Sequence, residues 1–365
     1  MGKRINTATW VESKKYWKIN VQKDGERRSF YSGTPGRKGQ RECNGKADAW
    51  LEDNLIGPDV KVEKLFKDWL AEVETTTSTA NYNQYNSYWN NRIKKRIGNI
   101  KIGAITEQHL QMVINDAARD GLSKKTMINL RACMTAFVKY ARRCKATTLI
   151  VENINIPKSA KKGEREILQP DDLKMLFSNT TSTYRSKEVF EPLVYAWRFQ
   201  VLTGLRPGEL VGLRWEDIDL KNKTVTIKRS INDLGEETTG KNENARRTFV
   251  LMDTAYNTLT EYSSKASTIS KYVFPNNDGK NISQLEVYNR WKRYKEYVGI
   301  KSGATPYELR HTFVSIFKDL PEGLLKPIVG HSVNMDSYGT YGHEVSGDLQ
   351  RAAELMQTRW GDIIK

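Results

Sequence analysis

The chain has 365 residues, with 59 Lys and Arg against 43 Asp and Glu and a formal net charge of +16. That length favours two or three domains, and a basic surplus of this size favours a polyanionic partner, because cations that neutralise phosphates release condensed counterions. No stretch approaches the ~20 apolar residues of a membrane span, no apolar run of signal-peptide length opens the chain, and Cys43, Cys133 and Cys144 are too few and too scattered for a disulfide framework or a zinc knuckle, so a cytoplasmic protein without membrane partners or a structural metal is expected.

Residues 8–31 alternate as short strands do, and Asp24-Gly25 supplies the residue pair of a two-residue hairpin turn. Trp17, Ile19 and Val21 then share one face, and Tyr16, Lys18, Asn20 and Gln22 the other. Across the turn Phe30 joins the first face, while Arg27, Ser29 and Tyr31 join the second. A helix around Lys46–Leu51 would cover the apolar side with Ala47, Trp50 and Leu51. The basic, amide and aromatic face left over is either a solvated face or one that a sheet presents to the major groove.

Gly57-Pro58 marks a boundary. From Val60 to about Ile150 the pattern is helical, with Val62, Leu65, Phe66, Trp69 and Leu70 at three- and four-residue spacing. A polar stretch, Thr75–Asn83, separates that helix from Tyr85–Ile93, whose end carries Arg92, Lys94, Lys95 and Arg96. Ser123 is placed to cap a helix bearing Met127, Leu130, Met134 and Phe137, beside Lys124, Lys125 and Arg131. These cations are either solvated or phosphate-tracking. Pro157–Glu166, with Lys158, Lys161, Lys162 and Arg165, reads as a flexible basic linker. Pro170, Asp171 and Asp172 then suit a first helical turn.

Arg206 stands before Pro207 at the start of a helix Gly208–Leu213, near a positive helix end where a phosphate is welcome. Glu209 could orient it, or the two could form an ordinary surface pair. Thr224–Ser230 alternates as a strand. In Thr305–Tyr341, Thr305 suits an N-cap, Pro306 the first helical position and Glu308 the reciprocal carboxylate. Arg310 follows one turn in, on the Tyr307 face, and Gly330 terminates the apolar run Leu324–Val329. His331 comes next, and Ser332 can cap a helix carrying Tyr341.

The pieces LTGLRPGELVGLRWEDID (Leu202–Asp219), YELRHTFVS (Tyr307–Ser315), VGH (Val329–His331) and TYGHE (Thr340–Glu344) resemble the tyrosine recombinases, the integrases of phages and transposons. The resemblance implies a multidomain α+β protein. A small β-sheet plus helix would form an arm-type DNA-binding domain at 1–56, and an all-α core-binding domain would occupy 57–156. The linker at 157–166 would let two domains close around DNA, and a mainly α catalytic domain with a β-hairpin and a C-terminal helix would fill 167–365. Tyr16, Lys18, Asn20, Arg27 and Tyr31 would meet arm DNA, and Arg92, Lys94, Lys95, Lys124, Lys125, Lys161 and Lys162 the core site.

By the same resemblance the catalytic residues are Arg206, Lys241, Tyr307, Arg310, His331 and Tyr341. Tyr341 would attack the scissile phosphate to form a 3′-phosphotyrosyl bond, which a second strand's 5′ hydroxyl would then reverse. Arg206 and Arg310 would neutralise the transition-state charge, His331 would add a hydrogen bond, and Lys241 would protonate the departing oxygen. The phosphotyrosine conserves the bond energy, so neither ATP nor a divalent metal is required. Gly240–Thr248 looks like the returning strand of the family's hairpin, where Lys241 lies six residues before Arg247. Asn242 replaces the family's Thr, however, and Lys228 and Arg229 are rivals.

Tyr307 stands where the family has His; a phenol with a pKa of about 10 is a poor base at neutral pH, so it either hydrogen-bonds the phosphate or nucleophile, or packs. Tyr338 is an alternative nucleophile, and Gly339 loosens the segment between them. Leu349, Ala352, Ala353, Met356 and Trp360 form one face of a helix ended by Gly361, which packs on its own domain or on a neighbouring protomer. The implied partners are double-stranded DNA at core and arm sites, further copies as a synaptic tetramer, and an excisionase or host DNA-bending protein. Two rival functions share the scaffold: a type IB topoisomerase-like enzyme and a catalytically silent DNA-binding regulator.

Overall fold

The computed structural model describes residues 4–364 except 24–25, 53–56, 164, 239–245, 267–268 and 331–346. Contacts divide the chain into two compact units, Met1–Gly163 and Glu164–Lys365.

In the first unit, β1 (Thr9–Val11), β2 (Tyr16–Lys23) and β3 (Glu26–Ser32) form an antiparallel sheet with β2 in the middle. The register sets Ile19 opposite Phe30 and Asn20 opposite Ser29. Ile19 and Val21 therefore turn inward with Phe30, against Cys43, Ala47 and Leu51 of α1 (Gly36–Glu52). That helix has 17 residues and begins well before Lys46. Its first turns, with Arg37, Lys38, Gln40 and Arg41, carry no apolar stripe, so periodicity shows only its second half.

A separate, all-helical core is built from α2 (Val62–Thr76), α3 (Thr79–Tyr88), a π-helical turn (Trp89–Ile93), α4 (Lys94–Ile97), α5 (Glu107–Arg119) and α6 (Lys124–Arg143). Phe66 stacks on Trp89 at 4.3 Å between ring centroids and tilts against Phe137 at 4.7 Å. Ser123 Oγ accepts from Thr126 N at 3.1 Å, the cap that starts α6. The polar stretch Thr75–Asn83 is not a spacer, because Ser78 caps α3 and the helix starts at Thr79. Its first turns lie on the surface, which removes the apolar signal without removing the helix.

The basic segment after Pro157 is fastened at either end. Lys161 O accepts from Lys124 N at 2.9 Å, while in the second unit Glu166 Oε2 accepts from Gly303 N at 2.6 Å.

The second unit opens with α7 (Pro170–Ser178), where Asp172 Oδ2 accepts from Gln169 N at 3.1 Å. The hairpin β4 (Thr181–Tyr184) and β5 (Lys187–Phe190) follows, then α8 (Leu193–Thr203), every residue of which is buried. A helix apolar on all sides belongs at a domain centre, and α8 packs against α10 (Asp253–Lys265) and α12 (Pro306–Ile316). A three-stranded antiparallel sheet runs β6 (Ile218–Asp219), β7 (Thr224–Ile227), β10 (Arg247–Val250), with the short pair β8 (Ser230–Ile231) and β9 (Glu237–Thr238) beside it in sequence. The remaining helices are α9 (Pro207–Gly212), α11 (Gln284–Val298), α13 (Glu322–Val329) and α14 (Asp348–Ile364).

The C-terminal helix α14 docks on its own domain. Ala352, Met356 and Trp360 enter the core, Trp360 lies 5.1 Å from the Phe177 ring, and Gln357 Oε1 accepts from Thr254 N at 2.9 Å. Docking of this face on a neighbouring protomer is therefore not the state described, and the helix runs through Gly361 to Ile364. Among the described residues no helix is long and apolar enough to cross a membrane.

Candidate active site

Two glycines bring the backbone together here. Gly204 ends α8 at φ 67°, and a Cβ on it would meet the Phe313 ring at 2.5 Å. Gly208 lets α9 approach the β8 strand, since a Cβ there would meet Ser230 Oγ at 2.4 Å. Between them Arg206 is the N-cap of α9 and Pro207 its first residue, a position where a missing N–H costs nothing. Arg206 N donates to Glu209 Oε2 at 3.0 Å and Arg206 Nη1 to Glu209 Oε1 at 2.8 Å. The Glu209 side chain is only 3% exposed and that of Arg206 28%, so the carboxylate lies in the domain interior and the guanidinium reaches the surface.

Arg310 comes from α12, which Thr305, Pro306 and Glu308 start; Thr305 N donates to Glu308 Oε2 at 3.1 Å. Its guanidinium is 3% exposed and donates from Nη1 to Gly204 O at 2.8 Å and from Nη2 to Val329 O at 2.6 Å. Burial pushes its pKa down to about 10, and the nearby charges of Arg206 and Arg247 act the same way against Glu209. Helix α13 brings its C-terminus to these arginines and stops at Gly330, left-handed at φ 61°.

Arg247, the first residue of β10, was only a landmark in the sequence, yet it completes the group. Its Nη1 and Nη2 donate to Glu209 Oε1 and Oε2 at 3.0 and 2.7 Å. Burial alone would raise the Glu209 pKa; the hydrogen bonds and charge of Arg247, then Arg206, hold it below the ordinary carboxylate value. The signal available was strand alternation, which puts Arg247 on the same side of β10 as buried Phe249.

Tyr307 differs from Arg310 in burial, although its phenol lies near enough to favour the Arg310 charge. It is 44% exposed while Arg310 is buried, since three residues fall short of the 3.6 of a full turn. Its ring meets His311 edge-on at 5.4 Å, and the Arg165 guanidinium lies 6.0 Å from its centroid. Arg165 Nη1 is 2.5 Å from His311 Nε2, and burial followed by the Arg165 charge lowers the His311 pKa. Lys241, His331 and Tyr341, with Tyr338, Gly339 and His343, lie outside the described residues. Both rivals of Lys241 are engaged: Lys228 sits 3.2 Å from Asp217, and Arg229 pairs with Asp217 and Glu216.

On the N-terminal sheet, Tyr16 and Tyr31 meet edge to face at 5.1 Å, Lys18 Nζ lies 5.8 Å from the Tyr31 centroid, and Asn20 Oδ1 accepts from Ser29 Oγ at 2.7 Å. Arg27 pairs in register with Gln22 on that same face, opposite α1. In the helical core Arg92 is paired with Asp120 and Lys94 with Glu63 at 3.1 Å. Lys95, Lys125, Lys161 and Lys162 are exposed, and Lys124 is half-buried.

The phage integrase family model matches residues 166–344, and the model of the phage integrase N-terminal SAM-like domain matches residues 61–117. The tyrosine recombinase XerC-like protein of Caldanaerobacter subterraneus subsp. tengcongensis is 24% identical over 408 residues, covering 98% of this chain and 99% of that one. The integrase of Shigella phage Sf6 is 24% identical over 372 residues, covering 96% and 90%. In fold the chain is similar to the Tn1549 transposon integrase in complex with a circular intermediate DNA, at TM-score 0.62 and 16% identity over 81% of this chain and 99% of that one. It is also similar to the lambda integrase tetramer bound to a Holliday junction, at TM-score 0.58 and 15% identity over 90% and 96%. Fold and matched segments together define the class as site-specific recombinases. The chain belongs to the phage integrase family of tyrosine recombinases.

Proposed function

We propose that this enzyme integrates and excises a mobile element by cutting and rejoining double-stranded DNA at the Arg206–Arg310 site. The observation that carries the reading is the convergence of two guanidiniums from α9 and α12 on the adjacent carbonyls Gly330 O and Val329 O, with the Arg206 charge opposing that of Arg310. Such repulsion is relieved when an anion sits between them, and planar guanidinium forks suit a phosphate's oxygens. Each spends two N–H groups on the site's own acceptors, and a guanidinium has five.

In this reading the Tyr341 oxygen attacks phosphorus, its phenolic proton passing to solvent, and the bond to the 5′ oxygen breaks, that oxygen leaving with a proton from Lys241. A partner strand's 5′ hydroxyl then attacks the phosphotyrosine, giving its proton to Lys241, the bond from phosphorus to the tyrosine oxygen breaks, and the phenolate regains a proton from solvent. His331 hydrogen-bonds the phosphate, and Tyr307 sits at the rim with His311. Residues 1–56 take arm-site DNA on the Tyr16, Lys18, Asn20, Arg27 and Tyr31 face, and 57–156 take the core site through Lys95, Lys124 and Lys125. Lys161 and Lys162 track the backbone beside the 157–166 linker, ahead of the catalytic domain at 167–365. Arg92 and Lys94 must leave Asp120 and Glu63 to do the same. The enzyme works in the bacterial cytoplasm at the nucleoid, as a tetramer in the synaptic complex, with an excisionase or host bending protein setting direction. Lysine at position 206 or 310 keeps the charge and loses the fork. Arg206→Lys and Arg310→Lys should therefore each slow covalent adduct formation on a nicked substrate by ~10²–10³, while binding that DNA; wild-type rates in both would refute the assignment.

A further inference from the structure

The last two carbonyls of α13 and that of its cap Gly330 each accept from a different arginine: Ile328 O from Arg247 Nε at 2.6 Å, Val329 O from Arg310 Nη2 at 2.6 Å, and Gly330 O from Arg206 Nη2 at 3.2 Å. A helix C-terminus is the negative end of its dipole and leaves its final carbonyls unpaired, so three cations are well placed there. Two of them, Arg206 and Arg310, are the phosphate-binding pair of the function proposed above. The third is committed elsewhere: Arg247 forms a bidentate pair with Glu209, the side chains 6% and 3% exposed. Glu209 in turn holds both the backbone and the side chain of Arg206. Arg247 thus ties together β10, the carboxylate that aims Arg206, and the helix end from which residue 331 continues.

We propose that Arg247 is a positioning residue for strand cleavage, acting through Glu209 and the α13 terminus and not through the DNA. The inference rests on the Arg206–Arg310 reading of the site. It has two consequences. Without Arg247, Arg206 keeps its acceptor, but that carboxylate loses the second cation that fixes it, and the α13 end loses one of its three anchors. Misplacement of a phosphate ligand by about 1 Å is enough to cost ~10² in rate. In addition, Glu209 loses the strongest influence that keeps it ionised. The charged groups facing Glu209 among the described residues are Arg206 on its own helix, Arg247 on β10 and Arg310 on α12. With Arg247 gone, burial raises the Glu209 pKa against fewer opposing charges, and a protonated Glu209 no longer gives Arg206 an ionised acceptor.

The test is single-turnover adduct formation on a nicked suicide substrate, with DNA affinity measured alongside, for wild type, Arg247→Met, Arg247→Lys and the double variant Arg247→Met/Glu209→Gln. Arg247→Met should bind DNA within about 3-fold of wild type and cleave about 100-fold more slowly at neutral pH. Its rate should climb with rising pH relative to wild type, as Glu209 loses its proton, and the double variant should lack that climb. A purely structural defect would lower the rate equally at every pH, and that result, or a wild-type rate, overturns the proposal. If Arg247→Met does not melt cooperatively, Arg247→Lys decides: it keeps the charge but has no fork for Glu209, so it should fold and still cleave slowly, and a wild-type rate contradicts the proposal. Tyr341→Phe runs beside them. No adduct from wild type overturns both the function and this role, whereas a wild-type adduct made equally well by Arg247→Met removes only the role.

Discussion

Arg310 holds its charge against burial and against two neighbouring cations. Its pKa, pushed down to about 10, means that the proton is present at neutral pH and is lost as the pH rises through that value. DNA affinity and cleavage should therefore fall on the alkaline side of about pH 10, and phosphate binding should shift that limb upward by favouring the charged form. A cleavage–pH profile checks this; no alkaline loss traceable to position 310, tested with Arg310→Lys, would be the contrary result. The cysteines give a second prediction. Cys43 and Cys133 are buried and burial pushes both thiols up, whereas Cys144 is half-buried. One thiol should react with an exposed-thiol reagent in the native protein and three after denaturation. Arg206 and Arg310 were legible because short-range signals surround them: Pro207 with Glu209, and Thr305, Pro306 and Glu308. Arg247 was not, because the carboxylate that gives it a role lies 38 residues earlier and the two meet only in the folded domain.

Elements were readable where their ends carry side-chain chemistry and obscure where they do not. The starts of α6, α7 and α12 follow from Ser123, from Pro170 with Asp172, and from Thr305 with Glu308. The length of α1 and the start of α3 were hidden by polar surface turns, which give periodicity nothing to report. For α14 the apolar face was legible and its destination was open, because the same stripe fits a domain core or a partner's groove. Its burial against Phe177 and beside the α10 start makes it part of the catalytic domain's own core. Trp360→Ala should accordingly lower the stability of the isolated protein by about 3–5 kcal/mol, in the range for emptying a core aromatic site, read from denaturant unfolding without DNA. A change below about 0.5 kcal/mol, the range of a surface substitution, would mean that the helix is not held there in solution.

At the scale of the whole molecule, the sequence pattern carried the α+β, multidomain character and the order of a small sheet, a helical body and a mixed body. The net charge of +16 indicated a polyanion without saying where it binds. In the second unit α9, α12, α13 and β10 meet around the Glu209 and arginine group. Residues 331–346, which contain His331 and Tyr341, begin directly after the helix end that the three arginines hold. The central claim is that this site breaks DNA through a tyrosine at position 341. The most direct measurement is trapping of covalent protein–DNA adducts on nicked suicide substrates made from candidate element ends. These are resolved on a denaturing gel with chelator present, for wild type, Tyr341→Phe and Tyr338→Phe. The account predicts an adduct from wild type and Tyr338→Phe and none from Tyr341→Phe. Specific DNA binding with no adduct from any version, or an adduct that survives Tyr341→Phe, would contradict it.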